Sequence, residues 1–158
     1  MALDAFQSEV LRLLAEHEQL ISQMYKSFAV SFPEYRDFWN EISLEETEHA
    51  EILRSLRQSI QDADAHFNKN TFPLEAVRFS IASVRKVMDE VKSGQVTPIA
   101  ALSLARDYEN SLIEKDFLKV VEADSDAVKE ALGRLSMDTG RHRDRIDKLL
   151  AEARSRGR

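Results

Sequence analysis

The chain has 158 residues, a formal net charge of −6 and no cysteine. This length suits one domain with its own core, and the lack of cysteine excludes disulfides, zinc–cysteine sites and iron–sulfur clusters. The negative charge argues against a general nucleic-acid binder, and no apolar run approaches the ~20 residues of a membrane span. The first residues, Met1 to Asp4, lack the basic start of a signal peptide. We therefore expect a soluble, cytoplasmic protein without nucleic-acid or membrane partners.

The composition predicts an all-α fold. Only four glycines and three prolines interrupt a chain that is rich in Glu, Leu, Ala, Arg and Lys, which are good helix formers. Apolar residues recur with the spacing of helices that bury one face. We predict a single domain over residues 1–158, with helices at about 3–32, 34–64, 74–93, 98–123 and 126–153.

The first predicted helix carries one carboxylate within its apolar stripe. Glu18 lies near the midpoint of the helix, whereas Glu16 falls off the stripe and is expected to face solvent. His17 borders the stripe, and we predict that it packs in the core and binds no ligand. The pair Phe32-Pro33 ends the helix, because the residue before a proline is disfavoured in the α conformation. So short a break predicts that the second helix returns antiparallel to the first.

The second predicted helix places a carboxylate and an imidazole on its apolar face. Glu46 and His49 are three residues apart, so their side chains are neighbours on one side of a helix. An unpaired carboxylate in the core would cost several kcal/mol or take up a proton. A metal ion would remove that cost, and Glu-x-x-His is how helical bundles present these groups to metals. The alternative, that this face is solvated and binds nothing, stays open for the motif alone.

The last three helices repeat this arrangement in part. The third has only apolar residues on its stripe, so packing explains it, and Gly94 is its predicted C-terminal cap. Thr97-Pro98 predicts the start of the fourth helix, with Thr97 as the N-cap. Glu109 interrupts the apolar stripe of the fourth helix, and His142 interrupts that of the fifth. Both lie near the middle of their helices.

Four helices thus place polar groups on buried stripes near mid-length. In a bundle with one long crossover connection, such midpoints fall in one layer. This coincidence favours a metal site over the solvated-face alternative. The predicted ligands are Glu18, Glu46, His49, Glu109 and His142.

This pattern resembles the ferritin-like di-iron carboxylate family, specifically the rubrerythrin-type ferritin-like domain, over nearly the whole chain. The resemblance implies a ferritin-like four-helix bundle with one long crossover that carries an additional helix. It also implies terminal carboxylates at Glu18 and Glu109, a bridging carboxylate at Glu46, and one imidazole per metal from His49 and His142. The resemblance also implies two residues that support the ligands without binding the metal themselves. Asp138 would hold a ligand histidine, and Tyr25 matches an aromatic that is common in the family two turns after the first glutamate.

One position departs from the family pattern. Thr139 stands where the family has its second bridging glutamate, so one bridge and one negative charge are lost. The resemblance implies two iron ions, or one if the site is degenerate, with manganese or zinc as other occupants. It further implies an oxidoreductase that acts on oxygen, peroxide or Fe(II) with an unknown electron donor, and a homodimer. The alternative is a non-enzymatic bundle with a degenerate site, serving iron sequestration, assembly or partner binding.

Overall fold

The computed structural model describes residues 5–62, 65–67, 74–111, 121–123 and 126–157. Within these ranges the chain is helical apart from two three-residue strands, so the predicted all-helical class is confirmed. The α-helices are α1 (Ala5–Ser31), α2 (Arg36–Asp62), α3 (Leu74–Lys92), α4 (Pro98–Glu109) and α5 (Asp126–Arg156), and a 3-10 turn at Pro33–Tyr35 joins the first two.

The fourth helix is shorter than predicted. The expected helix over 98–123 ends as α4 at Glu109, and Asn110 and Ser111 form a turn that closes on Arg106 and Tyr108. Asn and Ser side chains compete with the backbone for hydrogen bonds and so favour helix ends and turns. The apolar periodicity that suggested a longer helix continues at 112–120, outside the described residues.

Two short strands lie outside the α-helices of the described residues. Strand β1 (Ala65–Phe67) lies between the second and third predicted helices, and β2 (Val121–Ala123) lies where the fourth helix was expected to end. The strands pair antiparallel, with Ala65 opposite Ala123 and Phe67 opposite Val121. The predicted helical state of 121–123 is therefore wrong, because pairing with a distant segment decides the conformation there.

Helices α1 and α2 form a tightly packed antiparallel pair. Ser22 Oγ donates to the carbonyl of Ser43 at 2.7 Å, and Ser43 Oγ donates to the carbonyl of Ser22 at 2.8 Å. The side chains at this crossing are small, so the two backbones approach closely. Helix α3 packs along α1, while α5 packs against both α4 and α2.

The core divides into two apolar clusters with a polar layer between them. On α1, residues 10–15 belong to one cluster and 21–32 to the other, and Glu18 lies between. The same order holds on α2, where Glu46 and His49 separate the two clusters. It holds again on α5, where Asp138 and His142 do so. Helix packing therefore places the polar groups at one level of the bundle, with apolar side chains above and below.

No helix in the described parts of the chain is both long and apolar enough to cross a membrane.

Candidate metal centre

The structure buries every side chain that the sequence predicts as a ligand. Glu46 and His49 are only 2% and 1% exposed, which excludes the alternative that this face of α2 is solvated. His142, Glu18 and Glu109 are also buried, and His142 is fully so. Buried charges of this kind require partners, so the contacts among them determine what the site can do.

Glu46 lies between the two imidazoles and contacts both. Its Oε2 is 3.1 Å from His49 Nδ1, and its Oε1 is 2.7 Å from His142 Nδ1. The two rings stack with their centroids 5.5 Å apart and an angle of 27° between their planes. One ligand atom from each of the three residues lies within 4.8 Å of the others. The i, i+3 spacing on α2 and the packing of α5 against α2 together assemble this group, which we call the Glu-His-His cluster.

The second nitrogen of each imidazole is held by a further carboxylate. His49 Nε2 donates to Asp138 Oδ2 at 3.1 Å, and His142 Nε2 donates to Glu45 Oε2 at 2.7 Å. Arg141 pairs with Glu45 and lies 3.4 Å from Asp138 Oδ1, so one guanidinium joins both carboxylates. A carboxylate on the outer nitrogen fixes the orientation of a metal-binding imidazole. Both Nδ1 atoms are thereby aimed at Glu46.

Glu45 and Arg141 are site residues that the sequence analysis missed. Glu45 precedes Glu46 on α2 and lies beside the apolar stripe of that helix. From the sequence, its position is that of a solvent-exposed residue. Its side chain is only 18% exposed because α5 covers it, and Arg145 also approaches it at 3.7 Å. The sequence feature that could have indicated Glu45 is Arg141, one residue before His142, because an arginine there can pair with a carboxylate on a neighbouring helix.

Glu109 joins the site from α4 and is held by Tyr25. The Tyr25 hydroxyl donates to Glu109 Oε1 at 2.7 Å, and the same oxygen lies 3.8 Å from His142 Nδ1. Burial, with the nearby charge of Glu109, raises the pKa of Tyr25 well above its ordinary value, so the phenol keeps its proton. Tyr25 therefore fixes the carboxylate that stands beside the Glu-His-His cluster.

Glu18 lies at the edge of the site. It lines a small cavity of about 20 Å³ together with His17 and Glu109. No grouping of potential metal ligands among the described residues includes Glu18. The structure thus brings Glu46, His49 and His142 together, sets Glu109 next to them and places Glu18 on the small cavity that Glu109 also lines.

His17 is held by a contact outside the Glu-His-His cluster. Its Nε2 lies 2.7 Å from Ser80 Oγ of α3. Burial lowers the pKa of His17 to about 4, although the charge of Glu46 acts in the opposite direction. A neutral, hydrogen-bonded histidine between α1 and α3 agrees with the predicted packing role.

The charges within the Glu-His-His cluster stabilise one another. Burial alone would raise the pKa of Glu46, but hydrogen bonds from His142 and His49 outweigh it and hold the pKa well below its ordinary value. Burial opposes protonation of the imidazoles, yet hydrogen bonds to the carboxylates raise the pKa of His49 to about 9 and that of His142 to about 11. Without a metal, both rings are imidazolium ions at neutral pH, and a cation must displace their protons.

Glu109 shows that the site can accommodate additional positive charge. Burial and the neighbouring charge of Glu46 raise the pKa of Glu109 to about 7, despite the nearby His142 imidazole and the hydrogen bond from Tyr25. A carboxylate that is this reluctant to ionise is stabilised by a nearby cation. The donor set of carboxylate oxygen and imidazole nitrogen suits iron, manganese and zinc. The residues present therefore fit a divalent metal.

Thr139, three residues before His142 on α5, is half-buried. The adjacent Gly140 has open space around it, since a Cβ there would meet only the Arg143 side chain, at 3.8 Å.

Comparison of the chain with protein-family models, with curated proteins and with solved structures finds no match.

Proposed function

We propose that this chain is a metal-binding protein of the ferritin-like type, with the metal held by Glu46, His49 and His142. One observation carries the proposal: a buried carboxylate lies between two imidazoles, and each imidazole is oriented through its other nitrogen by a further carboxylate. Glu109, whose Oε1 lies 3.8 Å from His142 Nδ1, is a further ligand in this proposal. The ferritin-like four-helix bundle with a crossover helix belongs to the same proposal, supported by the order of the helices and by the polar layer at mid-length.

Each residue has a distinct part in this proposal. Glu46 supplies the central negative charge, and His49 and His142 give up their Nδ1 protons to bind. Asp138 and Glu45 hold the rings in place, and the apolar clusters on both sides exclude water. The bound metal would supply a Lewis-acidic, redox-active centre. These roles follow from the contacts of the side chains in the metal-free protein.

We further propose one firmly bound metal and a weaker second one. Thr139 offers no carboxylate, and no grouping of potential metal ligands among the described residues includes Glu18, so the second position is poorer in ligands. Two cations a few ångströms apart repel strongly at low dielectric, and Glu46 would be the only bridging carboxylate between them.

Iron is the proposed metal, with manganese or zinc as substitutes. The proposed activity is oxidation of Fe(II), or reduction of oxygen or peroxide, in a cytoplasmic homodimer served by an unknown electron donor.

A second candidate function is a bundle in which the polar layer has no redox role. The two imidazolium ions already compensate Glu46, so the ion pairs satisfy the Glu-His-His cluster without a metal. Together with Thr139, this favours a degenerate site that serves iron sequestration, assembly or partner binding.

Loading with Fe(II) under argon, followed by oxygen or hydrogen peroxide, separates the two functions. The redox proposal predicts Fe(III) absorbance that forms faster than in protein-free buffer, and loss of that rate in His142→Gln. Glu51→Gln, an exposed change on α2, serves as the matched control and should keep the rate. Metal uptake without faster oxidation would support the degenerate site as an iron store. Absence of uptake would reject the redox proposal and leave only the metal-free form of the second function, in assembly or partner binding.

A further inference from the structure

A second concave site lies on the outer side of α1, between α2 and α3. It is an open cavity of about 490 Å³, and none of its lining residues belongs to the Glu-His-His cluster. The volume falls in the range of small-molecule sites, roughly 300–1,000 Å³. The cavity is therefore large enough for a ligand and independent of the proposed metal.

The floor of this cavity is apolar. Leu11 and Ala15 of α1 and Leu53 of α2 line it, and all three are buried in the protein core. Leu20 adds a half-buried apolar side chain. A fully hydrated ion gains nothing from such a floor, whereas a hydrocarbon chain placed there removes apolar surface from water.

The rim of the cavity concentrates positive charge on a chain whose net charge is negative. Four arginines line it, against a single carboxylate, Glu16. The arginines come from three different helices: Arg12, Arg54, Arg57 and Arg85. Guanidinium groups offer planar, paired donors that match carboxylate and phosphate oxygens.

The existing ion pairs leave one arginine of the rim available. Glu16 pairs with Arg12 at 3.1 Å and with Arg85 at 2.8 Å. Arg54 pairs with Glu51, outside the cavity. Arg57 is exposed and makes no ion pair with any residue that the structure describes. The partner that this guanidinium can accept is thus an external anion.

We propose that this cavity binds a single-chain amphiphilic anion, with its acidic head at Arg57 and its apolar chain on the floor. The combination of the Arg57 guanidinium with an apolar floor selects against both simple anions and neutral lipids. A carboxylate or phosphate head fits equally well. Because the head is held at an exposed rim, its affinity falls as ionic strength rises.

Calorimetric titration of the protein with decanoate tests the proposal. Citrate serves as an anion without a hydrocarbon tail, and 1-decanol serves as a hydrocarbon tail without a charge. Decanoate should bind saturably with one site per chain, and the other two should bind at least tenfold more weakly. Arg57→Gln should raise the Kd of decanoate by about tenfold, the loss of one charge-assisted contact. Arg154→Gln, an exposed arginine at the end of α5, should leave the Kd unchanged.

A blocking variant keeps the test independent of charge. Gln19 lines the cavity on the surface of α1, so Gln19→Trp should place an indole over the apolar floor, displace the hydrocarbon tail and weaken decanoate binding at least tenfold while keeping the helical circular dichroism. Absence of saturable binding to the wild type, equal binding of 1-decanol, or equal affinity in Gln19→Trp would each overturn the proposal.

Discussion

Replacing the central carboxylate by its neutral isostere, Glu46→Gln, probes the charge balance of the site. In the metal-free protein the change leaves the imidazolium ions of His49 and His142 buried without the anion that lies 3.1 Å and 2.7 Å from them. Removing one partner of a buried ion pair costs about 3–5 kcal/mol. A domain of this length loses roughly 2–4 °C in Tm per kcal/mol, so we expect a fall of about 6–20 °C.

The same variant has a defined pH dependence. The pKa of His49 is raised from 6.5 to about 9 in the folded protein. Its stabilising ion pair with Glu46 is therefore fully present below pH 6.5 and is lost as the pH rises through about 9. The difference in unfolding free energy between the wild type and Glu46→Gln should shrink over that interval.

Thermal unfolding followed by circular dichroism, in chelator-treated protein at pH 6, 7.5 and 9.5, measures both effects. Glu51→Gln is the control, since Glu51 pairs with Arg54 at the surface of the same helix and such pairs contribute about 0–1 kcal/mol. A Tm for Glu46→Gln that equals the wild type at pH 6 would refute the described charge arrangement.

Three further changes test the site. Thr139→Glu restores the absent carboxylate beside His142, and elemental analysis should show more metal per chain; an unchanged content would place Thr139 outside the layer. Arg141→Gln releases the two carboxylates that orient the imidazoles, and competition with a chelating dye should show a metal Kd raised by about 10–100-fold with the helix content kept. Because His49 and His142 carry protons with pKa values of about 9 and about 11, metal binding should tighten from pH 6 to 8; calorimetry in two buffers of different ionisation enthalpy should detect proton release, and equal heats would contradict it.

Local sequence signals account for most of the helix ends. The Thr97 side chain accepts a hydrogen bond from the Ala100 amide at 3.1 Å, and Gly94 ends α3 with φ of +74°. Both are capping interactions that depend on a few adjacent residues. The end of α4 at Glu109 is not predictable from apolar periodicity, which continues beyond it, whereas the turn-forming pair Asn110-Ser111 is the local signal for this end.

The candidate site was predictable only where one helix defines it. Glu46 and His49 share a face of α2, and a polar pair within an apolar stripe is visible from spacing alone. The contact of Glu45 with His142 depends on how α5 lies against α2, and no local pattern contains that information.

Titration of the metal-free protein with Fe(II), Mn(II) and Zn(II) tests the central claim most directly. The account predicts saturable uptake of at least one of these ions, with a stoichiometry between one and two per chain, and loss of that uptake in Glu46→Gln. Wild-type protein that takes up none of the three ions saturably would contradict the metal-binding function.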